Sequence, residues 1–128
     1  MATKLNVNLA PSGKSDLMLQ NPVMPASGTF SWGLEFAKHF DITLLGAIVS
    51  KGVTILPRSG NSQPRAVETP GGMLNSIGLA NVGVDAYIKD KLPYLNEIDT
   101  HIIINIAGSS LDEYITVLEK LEVSDGKH

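Results

Sequence analysis

Three polar residues, Ser27, Lys51 and Asn105, each stand close to where an apolar run gives way to glycine. In a parallel α/β fold the carboxyl ends of the strands share one rim. A hydroxyl, an ammonium and a carboxamide placed there would meet on a single ligand. Gly28, Gly52 and Gly108 lie nearby and would let a planar molecule approach the backbone. A plainer reading fits the same residues: Lys51 reaches solvent, and Ser27 and Asn105 cap the helices that follow. A second group lies in Met73-Leu74-Asn75-Ser76-Ile77-Gly78-Leu79-Ala80-Asn81. There Asn75 offers a donor and an acceptor together, and Gly78 can free backbone N–H groups for an anion. A structural turn explains the same residues and, on pattern alone, is the preferred reading.

Other candidates carry less. Gly13-Lys14-Ser15 has the ending of a phosphate-binding loop, but Asn8 occupies the position of its first glycine, and a strand rather than a helix follows. His39, His101 and His128 lack metal-ligand spacing. Asp112 and Glu113 favour a helix N-terminus and need no catalytic role. Arg58 and Arg65, each after a proline, read as loop charges. The sequence has no cysteine, which excludes a disulfide scaffold, a thiolate metal site and a thiol nucleophile within these residues.

The elements that must position these groups follow from periodicity. Leu5, Val7 and Leu9 alternate with polar residues, and Pro11-Ser12-Gly13-Lys14 separates them from a second apolar stretch at 17–19, which predicts a β-hairpin. Residues 22–28 read as a strand leading into a helix over 30–40, where Trp32, Phe36 and Phe40 fall four apart. The run 44–49 reads as a buried parallel strand ending at Ser50-Lys51-Gly52. Residues 53–81 form a long excursion with short strands. A helix is expected over 81–92 through Val84, Ile88 and Leu92, with Pro93 kinking or ending it. Ile102-Ile103-Ile104 is a further strand. Ser110 and Glu113 have capping-box spacing, and Leu111, Tyr114, Ile115, Leu118 and Leu121 are expected to line the buried face of the last helix.

Strand, polar residue with glycine, then helix recurs three times, which predicts an α/β fold with parallel strands. The 128 residues make one domain, about half of the ~250 residues of a TIM barrel. Apolar residues make up 43% and charged residues 18%, and the formal net charge is −3, so nothing electrostatic recommends nucleic acid or an anionic membrane. No apolar run approaches the roughly 20 residues that span a bilayer, and the start lacks the apolar core of a secretion signal. A cytoplasmic location is the expectation.

Asn21-Pro22-Val23-Met24-Pro25-Ala26-Ser27-Gly28-Thr29-Phe30, Lys51-Gly52-Val53-Thr54 and Asn75-Ser76-Ile77-Gly78-Leu79 with Asn81 closely resemble class 1 dihydroorotate dehydrogenases. Glu68-Thr69-Pro70 and Asn105-Ile106-Ala107-Gly108 match the same family in the same order, and the likeness runs from residue 5 to about residue 122. It is greatest to the class 1B catalytic subunit. The resemblance implies an FMN-containing TIM barrel that oxidises dihydroorotate to orotate in the synthesis of UMP, hydride passing to the flavin. By motif position Ser27, Lys51, Gly52 and Asn105 would contact FMN. Lys51 would also touch the substrate, with Asn75, Ser76, Ile77, Gly78 and Leu79 forming part of its pocket.

The family's base is a cysteine placed beyond His128. The resemblance therefore implies that residues 1–128 are the amino-terminal half of the barrel, strands 1 to 3 with their helices, preceded by the hairpin and inactive alone. It further implies a homodimer, and a partner subunit that carries FAD and an iron-sulfur cluster and passes electrons to NAD. Two other readings stay open: a related pyrimidine-oxidising flavoprotein domain, as in dihydropyrimidine dehydrogenase, and a non-catalytic binding module.

Overall fold

The computed structural model describes residues 4–124, so Met1 to Thr3 and His128 lie outside the described residues. β1 (Val7–Asn8) and β2 (Met18–Leu19) pair antiparallel, Val7 opposite Leu19, as the alternation predicts. Asn8 closes their loop by accepting from the N–H of Ala10 at 3.0 Å and of Leu17 at 3.2 Å. His101 Nε2 sits 2.9 Å from the Met18 carbonyl and ties the hairpin to the far end of the chain.

Residues 22–28 do not form the expected strand. Pro22 and Pro25 have no N–H to give to a ladder. Side chains make the connection instead: Gln20 Nε2 donates to the Leu45 carbonyl at 2.8 Å and Asn21 Nδ2 to the Leu44 carbonyl at 2.9 Å, while the Gly46 N–H donates to the Val23 carbonyl at 2.9 Å. The approach is so close that a Cβ on Gly46 would run into the Asn21 carbonyl.

The long helix over 30–40 is also absent. α1 (Ser27–Phe30) is one turn, and the chain then passes through positive φ at Ser31 and Gly33, which ends the helix. Only a 3-10 turn at Phe36–Lys38 follows. The aromatic spacing survives as packing, with Phe30 stacked on Phe36 at 4.5 Å and Trp32 tilted against Tyr87 at 5.2 Å.

The strand expected over 44–49 shortens to β3 (Ala47–Val49), because Ile42–Leu44 forms a 3-10 turn capped by Asp41, whose Oδ1 accepts from the Thr43 N–H at 3.0 Å. That bond and the Thr43 hydroxyl hold the Asp41 carboxyl below its ordinary pKa. The excursion holds an antiparallel hairpin, β4 (Ala66–Thr69) and β5 (Gly72–Asn75), exposed along its whole length. The next helix begins later than expected, at α2 (Val84–Asp90), behind Gly83 at φ 78°, and breaks at Lys91 before α3 (Leu92–Asn96), with Pro93 in its first turn. β6 (His101–Ile103) pairs parallel with β3, Ile48 opposite Ile102.

α4 (Leu111–Val123) starts as predicted, with Ser110 Oγ accepting from the Glu113 N–H at 3.3 Å and Glu113 Oε2 accepting from the Ser109 N–H. Its buried face agrees with the expected one only at Leu121. α4 leans on α2 through Val117 and Leu121, with Lys120 Nζ 2.6 Å from Asp85 Oδ1. Leu111, Tyr114, Ile115 and Leu118 stay exposed, Leu111 at 74%.

The core gathers Ile48, Val53, Val84, Tyr87, Ile102 and Val117 between the parallel pair and the helices. Among the described residues no sheet exceeds two strands and none closes on itself. No helix among them is long and apolar enough to cross a membrane.

Candidate functional site

The rim beyond β3 and β6 gathers the first group. Asn105 Nδ2 donates to Ser27 Oγ at 3.2 Å, across 78 residues of sequence. Gly52 lies beside them: a Cβ there would stand 3.7 Å from Asn105 Nδ2 and 3.0 Å from Leu79 Cδ1. Ser27 makes no capping bond to α1, and Ser110 rather than Asn105 caps α4, so the capping alternative does not hold for either residue. Lys51 is half-buried, and its N–H donates to the Ser31 carbonyl at 3.0 Å. Among the described residues its ammonium has no hydrogen-bond or ion-pair partner. A Cβ on Gly28 would meet nothing within 4 Å, whereas Gly108 packs against Glu113 and Tyr114 and leaves no approach to the backbone.

The second group is held differently. Asn75 ends β5 opposite Ala66, and the Ser76 N–H donates to the Arg65 carbonyl at 2.8 Å. Asn61, which the sequence reading passed over, donates from its backbone to the Ile77 carbonyl at 3.0 Å and from Nδ2 to Ser76 Oγ at 2.7 Å. Gly78 and Leu79 both take positive φ. Leu79 reaches the first group at Gly52; no hydrogen bond joins Asn75, Ser76, Ile77 or Gly78 to Ser27, Lys51 or Asn105 among the described residues. Arg58 donates to Ser109 Oγ at 2.9 Å, and Arg65 donates to the Ser59 carbonyl at 3.2 Å, so both hold loops together.

Buried polar residues behind the rim do the holding. Asn81 Oδ1 accepts from the N–H groups of Thr54 at 3.2 Å and Gly83 at 2.9 Å, while Nδ2 donates to the Leu79 carbonyl at 2.8 Å. One carboxamide thus fixes the positive-φ segment to the strand end beyond β3. Ser50 is wholly buried, with the Asn105 N–H donating to its Oγ at 3.2 Å. Tyr87 is equally buried, and burial pushes its hydroxyl up to about 12, with the nearby Ser50 acting in the opposite direction. Sequence marked Asn81 only as part of a motif and Ser50 only as a neighbour of Lys51. A groove of about 1260 Å³ runs elsewhere, along β6 between Met18 and Leu118, and none of these site residues lines it.

The fold has a counterpart among solved structures. The crystal structure of DHODH in complex with ferulenol from Eimeria tenella superposes with a TM-score of 0.66, covering 91% of this chain and 33% of that one at 18% identity. That likeness defines the class, an α/β fold of the dihydroorotate dehydrogenase type.

Sequence comparison then defines the family. The family model for dihydroorotate dehydrogenase matches residues 13–126, and the chain belongs to that family. The catalytic subunit of dihydroorotate dehydrogenase B (NAD(+)) from Geotalea uraniireducens is 53% identical over 117 residues, covering 86% of this chain and 38% of that protein. The corresponding subunit from Thermodesulfovibrio yellowstonii is 50% identical over 113 residues, 88% of this chain and 37% of that protein. The chain thus spans a little over a third of the length of these relatives.

Proposed function

We propose that residues 1–128 form the amino-terminal part of a TIM-barrel subunit, which oxidises dihydroorotate to orotate with FMN in pyrimidine synthesis. The hydrogen bond between Asn105 and Ser27 carries the reading, because it joins two polar rim residues from distant parts of the chain, with Gly52 near the Asn105 carboxamide. The residues present fit a flavin. A hydroxyl, a carboxamide and an ammonium match the alternating carbonyl and nitrogen edge of its pyrimidine ring, and the open space at Gly28 admits a flat ring. FMN, when bound, supplies the hydride acceptor.

In this reading Ser27, Gly52 and Asn105 orient the ring. The Lys51 ammonium favours negative charge on the pyrimidine edge and contacts the substrate. Asn75, Ser76, Ile77, Gly78 and Leu79 bound the substrate pocket, where a carboxamide and backbone N–H groups suit a planar, carboxylated pyrimidine. The resemblance implies a cysteine as the base that takes the substrate proton; these residues contain none, so in this reading the base comes from outside them. The words NAD(+) and catalytic subunit in the names of the relatives support a separate electron-transfer subunit; a cytoplasmic homodimer, with FAD and an iron-sulfur cluster in that partner, completes the reading on the family resemblance alone.

The test is the complete catalytic subunit carrying this segment. It is expected to purify with FMN and to form orotate, and Lys51→Ala to lower both flavin affinity and orotate formation at least tenfold. A subunit without flavin or orotate formation overturns the reading; unchanged values in Lys51→Ala remove that residue from the site. Orotate formation by residues 1–128 alone would show that no outside base is needed.

A further inference from the structure

The parallel ladder is irregular at the site. Val49 pairs with Ile103, and the next bridge joins Val53 to Ile106, so four steps along one strand face three along the other. One extra residue is therefore accommodated within 50–52, a bulge that carries Lys51 and Gly52. Below it the Ser50 N–H donates to the Ile103 carbonyl at 2.9 Å, and above it the Val53 N–H donates to the Asn105 carbonyl at 2.8 Å. Between these rungs the Asn105 N–H has lost its regular acceptor. Ser50 Oγ takes that place at 3.2 Å, and the same hydroxyl donates to the Lys51 carbonyl at 3.2 Å. The Lys51 N–H, released from the ladder, turns to the Ser31 carbonyl just beyond Ser27.

We infer that Ser50 is a positioning residue: its buried hydroxyl stands in for a main-chain carbonyl across the bulge and holds Lys51 and Asn105 in the relation that presents both to one ligand. The ligand is the flavin of the reading above, on which this inference rests. Ser50 itself is wholly enclosed and touches no ligand. A bulge alone would leave the Asn105 amide without an acceptor and free to tilt, and its side chain would tilt away from Ser27 with it.

The experiment compares wild type, Ser50→Ala and Ser50→Thr in the complete catalytic subunit, with 15N placed in asparagine. Ser50→Ala is expected to speed amide exchange at Asn105 about tenfold and to raise the FMN dissociation constant about tenfold, the factor that corresponds to one lost hydrogen bond. Ser50→Thr, which keeps the hydroxyl, is expected to restore both. Unchanged exchange at Asn105 overturns the bridge. Faster exchange with unchanged FMN affinity overturns the positioning role and leaves a merely structural one. If wild type binds no FMN, the flavin reading fails, and exchange at Asn105 alone then decides the bridge. Should Ser50→Ala not fold, Ser50→Cys, of similar volume and a weak acceptor, carries the same comparison.

Discussion

Tyr87 is the residue whose surroundings make the clearest numerical demand. Its hydroxyl titrates near 10 in an unfolded chain and at about 12 in the fold, because burial penalises the tyrosinate. The folded state thus keeps its proton longer, and the stability this represents is whole below pH 10 and is lost as pH rises to 12. By linkage the loss is about 2–3 kcal/mol. Denaturant unfolding at stepped alkaline pH should show it, and Tyr87→Phe should remove that share of the slope; an identical pH dependence in the variant would refute the assignment. Such a residue is hard to read from sequence, where Tyr87 is one aromatic on a helical pattern. Ser27, Lys51 and Asn105 were legible because their types and places beside glycine are visible in one dimension. Asn61 and Asn81 were not, because what matters is which backbone groups their carboxamides meet after folding.

At the scale of elements, local chemistry was read well and tertiary context poorly. The capping box of α4 depends on residues three apart and formed as expected. Ser110→Ala should therefore lower stability by about 1 kcal/mol, measured by denaturant unfolding followed by circular dichroism, with Ser110→Asp retaining most of it. Equal loss in both variants would show that the cap is not the cause. Of the apolar stripe expected on the same helix only Leu121 is buried, since periodicity names a face but not the neighbour that covers it. The helix expected over 30–40 failed for a related reason: the aromatic spacing was genuine, but Ser31 and Gly33 take positive φ and turn it into a cluster of rings.

At the scale of the molecule, the three separate two-stranded sheets among the described residues leave much apolar surface open. Leu44, Leu56, Met73, Leu74 and Leu111 are all more than 60% exposed, and β6 has a free edge along the groove beside Leu118. The 128-residue chain alone should associate with rising concentration. Light scattering across a dilution series checks this, and Leu118→Lys should weaken the association if the groove takes part; a monomer at every concentration would refute it. The parallel α/β character was legible in the alternation of apolar runs with helical patterns, whereas the proline-rich segment over 22–28 was taken for a strand it cannot be. The irregular end of β3 also bears on how this chain tolerates change. Ile48 and Val53 are five positions apart, an odd number, yet both lie in the core, opposite Ile102 and Ile106, which are an even four apart. A pleated strand changes sides at every step, so only the surplus residue reconciles the two parities. Removing one residue from 50–52 would leave Ile48 and Val53 four apart, an even number that keeps both in the core of a regular ladder, so a single deletion there would spare the packing and erase only the displaced segment that carries Lys51 and Gly52.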